Sequence, residues 1–183
     1  MPFSFTSCAI SGLFEILPKV FSDRRGSFFE CYSERDFNSA GLILPFVQDN
    51  QSISGKGTLR GLHYQKIHPQ GKLIRAIHGE IFDVAVDVRT NSPTWGKWHS
   101  VILSGKKKNM FYIPPGFAHG FLVLSDAAVF TYKCTDFYYP DDEGGIIWND
   151  PYIGIKWPPL DVEYMLSEKD KNLPLLASIK DYH

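Results

Sequence analysis

Along this chain apolar and polar residues alternate far more often than they recur at helical spacing, the signature of half-buried strands. The clearest case is residues 79–88, where Phe82, Val84, Val86 and Val88 fall on one face and Ile81, Asp83, Ala85 and Asp87 on the other. Further strands are predicted at residues 10–16, limited by Pro18, and in both arms of residues 20–30 around a polar turn at 23–26. Others fall at 46–52, on either side of the turn 68–71 within 58–75, at 95–103, from 110 onward, at 117–124 beyond Pro114-Pro115-Gly116, and at 129–135. Residues 33–38 read as the only early helix, with Ser33 as its cap. Roughly ten short strands punctuated by Gly, Pro, Asn and Asp predict an all-β barrel or sandwich. From Tyr138 onward the texture becomes loop-rich, with Trp148 and Trp157 expected to pack back on the barrel. Near its end Ser167 starts a short helix and Asp170 occupies the capping-box position.

Length and charge narrow the class. The 183 residues suit one domain over 1–183, with a barrel core at about 10–137 and a packing extension at about 138–183. A formal charge of -1 without a long basic run excludes a nucleic-acid backbone as the expected partner, and the lysines at 106–108 read as a solvated hairpin turn. Three cysteines, Cys8, Cys31 and Cys134, without close spacing argue against a disulfide framework or a zinc site and for a reducing compartment. The first ten residues lack the charged start and apolar core of a signal peptide, and no window approaches the ~20 apolar residues of a membrane span. A cytoplasmic protein without membrane partners is expected.

The chemistry concentrates in residues 58–75, where Arg60, His63 and Lys72 stand among core-type residues. Tyr132 and His119 sit on strands able to line the same interior, and such a cluster is costly to bury unless it forms a site. The expected chemistry is proton abstraction beside a carbonyl, with His63 as base and Lys72 stabilising the resulting negative oxygen. Gln48 and Asn50 share a face where their strand turns polar, either a sheet edge or the wall of a wet cavity. Arg25 and Glu30 flank Phe28 and Phe29 and read either as exposed turn and strand-end residues or as site residues.

Pro114-x-Gly116-x-x-His119 matches half of the cupin metal signature, but Gln65 stands where a second histidine is needed. Only His63 and His119 are well placed as ligands, so no metal is expected. His68, His78, His99 and His183 read as turn, strand-end, strand and tail residues without a role. Arg60 and His63 differ by an odd number, which in an ideal strand places them on opposite faces. A bulge at Gly61 would bring both to one ligand; otherwise Arg60 reaches it at a barrel edge or from a dimer partner.

Ten blocks in order carry a resemblance over nearly the whole chain: residues 23–30, 46–50, 59–65, 70–73, 83–87, 116–121 and 132–133, Glu143, 148–150 and 166–170. Together they resemble the dTDP-4-dehydrorhamnose 3,5-epimerase family. The resemblance implies a cupin-type double-stranded β-barrel (jelly roll) with short flanking helices, working as a homodimer without metal or other cofactor. Its implied substrate is dTDP-4-dehydro-6-deoxy-D-glucose, inverted at carbons 3 and 5, both of which flank the ketone. By position His63 is the base, Asp170 supports its imidazolium, Lys72 faces the enolate oxygen, and Tyr132 is the proton donor for carbon 5. Tyr132 separates a 3,5-epimerase from relatives that invert carbon 3 alone. Arg25, Glu30, Gln48, Asn50, Arg60, His119 and Lys169 are implied to meet the pyrophosphate and nucleotide, Glu143 to lie in the site, and Tyr138 to stack on the thymine. Asp83 either neutralises Lys72 or pairs with His119. Phe137, Tyr139 and Arg24 depart from the family pattern and touch only loop detail. The alternatives are a 3-epimerase or ketoisomerase of another dTDP-deoxysugar, a non-catalytic nucleotide-sugar sensor, and a metal-dependent cupin dioxygenase.

Overall fold

The computed structural model describes residues 2–43 and 45–179, so His183 lies outside the described residues. Its alternating segments form two antiparallel sheets around a shared interior. Chain order gives β1 (Phe3–Ser7), β2 (Phe14–Pro18), β3 (Phe21–Asp23), β4 (Gly26–Phe28), α1 (Glu34–Ser39), β5 (Gln48–Gly55), β6 (Leu59–Gln65) and β7 (Lys72–His78). It continues with β8 (Glu80–Asp87), β9 (Trp98–Ser104), β10 (Met110–Ile113), β11 (Phe117–Val123), β12 (Ala127–Cys134), β13 (Glu143–Gly145) and α2 (Glu168–Lys171). One sheet has the spatial order β1-β2-β10-β7-β12-β5 and the other β13-β6-β11-β8-β9, while β3 and β4 pair only with each other.

The faces of β8 show how the layers are built. Ile81 and Ala85 join Ile74, Phe111, Phe121 and Phe130 in the core between the sheets. Phe82, Val84, Val86 and Val88 point the other way and are covered by the tail through Ile146, Ile153, Leu176, Trp148 and Trp157. A third cluster, Ile16, Phe37, Leu73, Met110 and Tyr112, seats α1 on the outside of the six-stranded sheet. Ser33 caps α1 by accepting a hydrogen bond from Asp36 N at 3.4 Å. This is an all-β, cupin-type barrel with short flanking helices and a loop-rich tail.

The expected first strand at residues 10–16 is corrected. Ile10 and Leu13 are buried, but Gly12 at φ +96° turns the backbone, and the strand starts at Phe14. Before it lies β1, paired residue for residue with β2 from Phe3 opposite Pro18 to Ser7 opposite Phe14. No helix among the described residues is long and apolar enough to cross a membrane.

Candidate active site

The site begins with an irregularity in β6. His119 of β11 is paired with His63, and Phe121 with Arg60, so two steps on β11 face three on β6. Since His119 and Phe121 share a face, the extra residue puts Arg60 and His63 on one face too. Gly61 makes this possible: its φ is +108°, and a Cβ there would stand 2.6 Å from Gly120 Cα and His119 O. The bulge considered from sequence is therefore present. Arg60 Nη2 lies 3.4 Å from Ser54 Oγ, its head remains exposed, and its charge acts on Tyr132.

His63 projects from β6 into a cavity of about 250 Å³ lined also by Gln48, Asn50, Lys72, Tyr132, Tyr138 and Glu143. Its Nε2 meets Asp170 Oδ1 at 2.7 Å, across 107 residues of chain. Ser167 caps α2 by accepting from Asp170 N at 3.1 Å, while the Asp170 carboxylate turns inward and its Oδ2 accepts from Gly61 N at 3.4 Å. Sequence left capping as the ordinary reading of Asp170; the carboxylate instead serves the histidine. Burial raises the Asp170 carboxyl, but the His63 hydrogen bond and charge, Gly61 N–H and Ser167 outweigh it and hold it below its usual range.

On the other side of the imidazole, His63 Nδ1 lies 3.8 Å from Glu143 Oε1. Glu143 Oε2 accepts from Lys169 Nζ at 2.5 Å and Tyr138 Oη at 2.8 Å. Burial pushes Glu143 up, and these two bonds with the His63 charge bring it below its ordinary value. Tyr138 N in turn donates to Gln48 Oε1 at 3.1 Å, and Gln48 Nε2 to Asn50 Oδ1 at 3.1 Å, so the mouth is a continuous polar chain.

The facing wall belongs to the six-stranded sheet. Tyr132 lines the cavity from β12 and Lys72 from β7, and the buried Cys134, two residues beyond Tyr132, is in register with Lys72. Burial lowers the Lys72 ammonium, opposed by Cys134, Asp83 and Glu143, and burial raises the Tyr132 phenol, which stays protonated at neutral pH. Asp83, wholly buried, pairs with His119 Nε2 at 2.9 and 3.1 Å and also acts on Lys72 through charge.

Arg25 and Glu30 are not brought to this cavity within one copy of the chain. Arg25 forks onto its own neighbour Asp23, at 3.0 Å through Nε and 2.6 Å through Nη2, on a hairpin whose six strand residues are all exposed. Glu30 is exposed beyond the hairpin. Gln65, at the position of the missing metal histidine, spends its amide on the loops: Nε2 donates to His68 O and Phe137 O, and Oε1 accepts from Tyr139 N. Sequence reasoning also passed over Cys134 and Gln70 near the site, although Cys134 shares the strand face of Tyr132. His68, given no role, stacks on Tyr139 with centroids 4.1 Å apart.

A β-barrel interior holding an imidazole–carboxylate pair, a buried ammonium and a phenol around one cavity defines an acid–base enzyme of the cupin type. The profile of the dTDP-4-dehydrorhamnose 3,5-epimerase family matches residues 7–178. The chain belongs to that family. Proteins named dTDP-4-dehydrorhamnose 3,5-epimerase from Methanothermobacter thermautotrophicus and Pseudomonas aeruginosa are 52% identical over 171 residues and 53% identical over 167. These alignments cover 93% and 91% of this chain and 92% of each relative. The crystal structure of dTDP-6-deoxy-D-glucose-3,5-epimerase from Legionella pneumophila in complex with dTDP-4-keto-L-rhamnose matches with a TM-score of 0.94 at 48% identity, over 97% of this chain and 95% of that one.

Proposed function

We propose that this chain inverts carbons 3 and 5 of dTDP-4-dehydro-6-deoxy-D-glucose, giving dTDP-4-dehydro-L-rhamnose. One observation carries the reading: His63 and Tyr132 line the same cavity from opposite sheets. Inversion needs a proton removed from one face of the ring and another delivered to the opposite face, because a base that returns its own proton regenerates substrate. In this scheme His63 takes the proton beside the ketone, Asp170 supports the imidazolium, and Lys72 stabilises the enolate oxygen. Tyr132 then delivers the proton at carbon 5 and solvent water delivers it at carbon 3, while His63 returns the proton it took to solvent before the next step. Both steps are redox-neutral.

Tyr138 stacks on the thymine, Gln48, Asn50, Arg60, His119 and Lys169 meet the pyrophosphate and nucleotide, and Glu143 lies in the site. Arg25 and Glu30 join the site from a second copy of the chain. The exposed hairpin, with Phe21 at 53% and Phe28 at 70% exposure, and the sheet-edge strand β5, with Ile53 at 68%, offer apolar surface for such a homodimer.

The test is proton NMR of the enzyme with dTDP-4-dehydro-6-deoxy-D-glucose in heavy water. Deuterium entering carbons 3 and 5, with dTDP-L-rhamnose formed after a downstream reductase, is the expected result. Exchange at carbon 3 alone would mark a single-site epimerase, and no exchange would point to another sugar nucleotide or a sensor.

A further inference from the structure

Gln65 ends β6 at the cavity, and the proposed chemistry leaves it without a task. The residue is buried, and both of its amide hydrogens are committed: Nε2 donates to His68 O at 2.7 Å and to Phe137 O at 3.1 Å. Its Oε1 accepts from Tyr139 N at 2.8 Å. Only this orientation of the amide serves two carbonyls and one N–H, and it leaves no donor for a ligand. Gln65 therefore grips the peptide units on both sides of Tyr138, the ring assigned to the thymine. We propose that Gln65 is a positioning residue for Tyr138: it presets the backbone of the stacking residue and so sets affinity for the thymine nucleotide without touching it. The inference rests on the epimerase reading and deepens it at the nucleotide subsite.

Tyr138 needs such support because neither regular structure nor burial supplies it. Strand β12 ends at Cys134, the next element is a short 3₁₀ turn at Pro140–Asp142, and Phe137, Tyr138 and Tyr139 all stand exposed. The anchors are polar instead. Gln48 Oε1 accepts from Tyr138 N at 3.1 Å. Asp142, itself buried, ties the far end of the segment to the chain just beyond Gln65, accepting from Ile67 N and His68 N at 2.8 Å each. Removing one partner of a buried hydrogen bond leaves the other unpaired, so loss of the Gln65 amide frees three backbone groups at once. A ring already held in its binding position has less ordering to complete when the nucleotide arrives.

The experiment measures calorimetric binding of dTDP and of inorganic pyrophosphate to the full-length wild type, Q65M, Y138A and the double variant, with turnover read by exchange in heavy water. Methionine fills the space of glutamine without its hydrogen bonds. Q65M is expected to weaken dTDP about tenfold, within the range of a lost base–aromatic stack, and to leave pyrophosphate within about twofold. KM should rise with it while kcat stays within about threefold. In the Y138A background the same substitution should change dTDP affinity by less than about twofold, since the ring it positions is gone. If Q65M does not fold, Q65E carries the same prediction, because its carboxylate still accepts from Tyr139 N but opposes two carbonyl oxygens. Equal weakening of dTDP and pyrophosphate, additive losses in the double variant, or wild-type dTDP affinity in a folded Q65M or Q65E would make Gln65 general support for the fold and overturn the proposal. With a wild type that binds dTDP and exchanges both protons, those outcomes overturn this inference alone. A wild type that does neither overturns the epimerase reading and this inference with it.

Discussion

His63–Asp170 and His119–Asp83 are the same chemical pair in two settings, and β11 and β6 hold the two histidines directly opposite each other. The first opens on the cavity: the His63 side chain is 29% exposed, against 9% for His119. Asp170 receives Gly61 N–H and the Ser167 cap in addition to its histidine, and its carboxyl lies below the ordinary 3.8. Asp83 sits in the closed interior between sheets, where burial outweighs His119 and Lys72 and lifts its carboxyl above the same value. Complete burial holds the Asp83 carboxyl above its ordinary value, whereas at Asp170 burial is overcome by the His63 hydrogen bond and charge, with Gly61 N–H and Ser167 adding to them.

The largest test of this contrast is removal of each imidazole. H63A is expected to cost about 10²- to 10⁴-fold in exchange at both carbons, the scale of a lost general base. H119A should act chiefly on KM, and equal losses in kcat would erase the functional distinction between the pairs. Next comes the phenol across the cavity: Y132F should abolish inversion at carbon 5 while sparing exchange at carbon 3, and parallel loss at both carbons would mean that the walls do not divide the work. The carboxylates follow. D170N should lower kcat by about 10²-fold and D83N by less than tenfold, measured in steady-state turnover.

The smallest effect is the sharpest in sign. A folded pKa below the unfolded 3.8 means that Asp170 contributes stability above that value and loses it as pH falls through the lower folded one. The stability deficit of D170N in urea titrations should therefore grow as pH rises across 3.8. Asp83, with its folded value above 3.8, binds its proton more tightly in the folded chain, and its contribution falls as pH rises through the window above 3.8. The D83N deficit should shrink over that window. Slopes of one sign for both variants would show that the two environments do not differ as described.

Alternation in β8 was enough to separate the two cores and to set Asp83 among interior residues, because a period of two survives any packing. The pairing of Arg60 with His63 was legible only as an arithmetic conflict, and the presence of Gly61 supplied its resolution. Segments defined by partners rather than pattern escaped. β13 is Glu143-Gly144-Gly145, a composition typical of loops, and becomes a strand by pairing with β6. Ile10 and Leu13 misled in the opposite direction, since burial of a turn leaves the same apolar trace as a strand. The hairpin arginine Arg25 could be matched by position alone, and within one copy the fold leaves it on an exposed turn, paired with Asp23 and outside the cavity.

Asp170 reaches His63 from a four-residue helix in the tail, after the barrel strands and the long covering loop have passed. During synthesis His63 therefore emerges 107 residues before Asp170. A nascent chain that has completed its barrel strands still lacks the carboxylate that His63 meets in the finished fold. The imidazole thus meets its carboxylate partner only after every strand of both barrel sheets has been made, a delay written into the order of the elements.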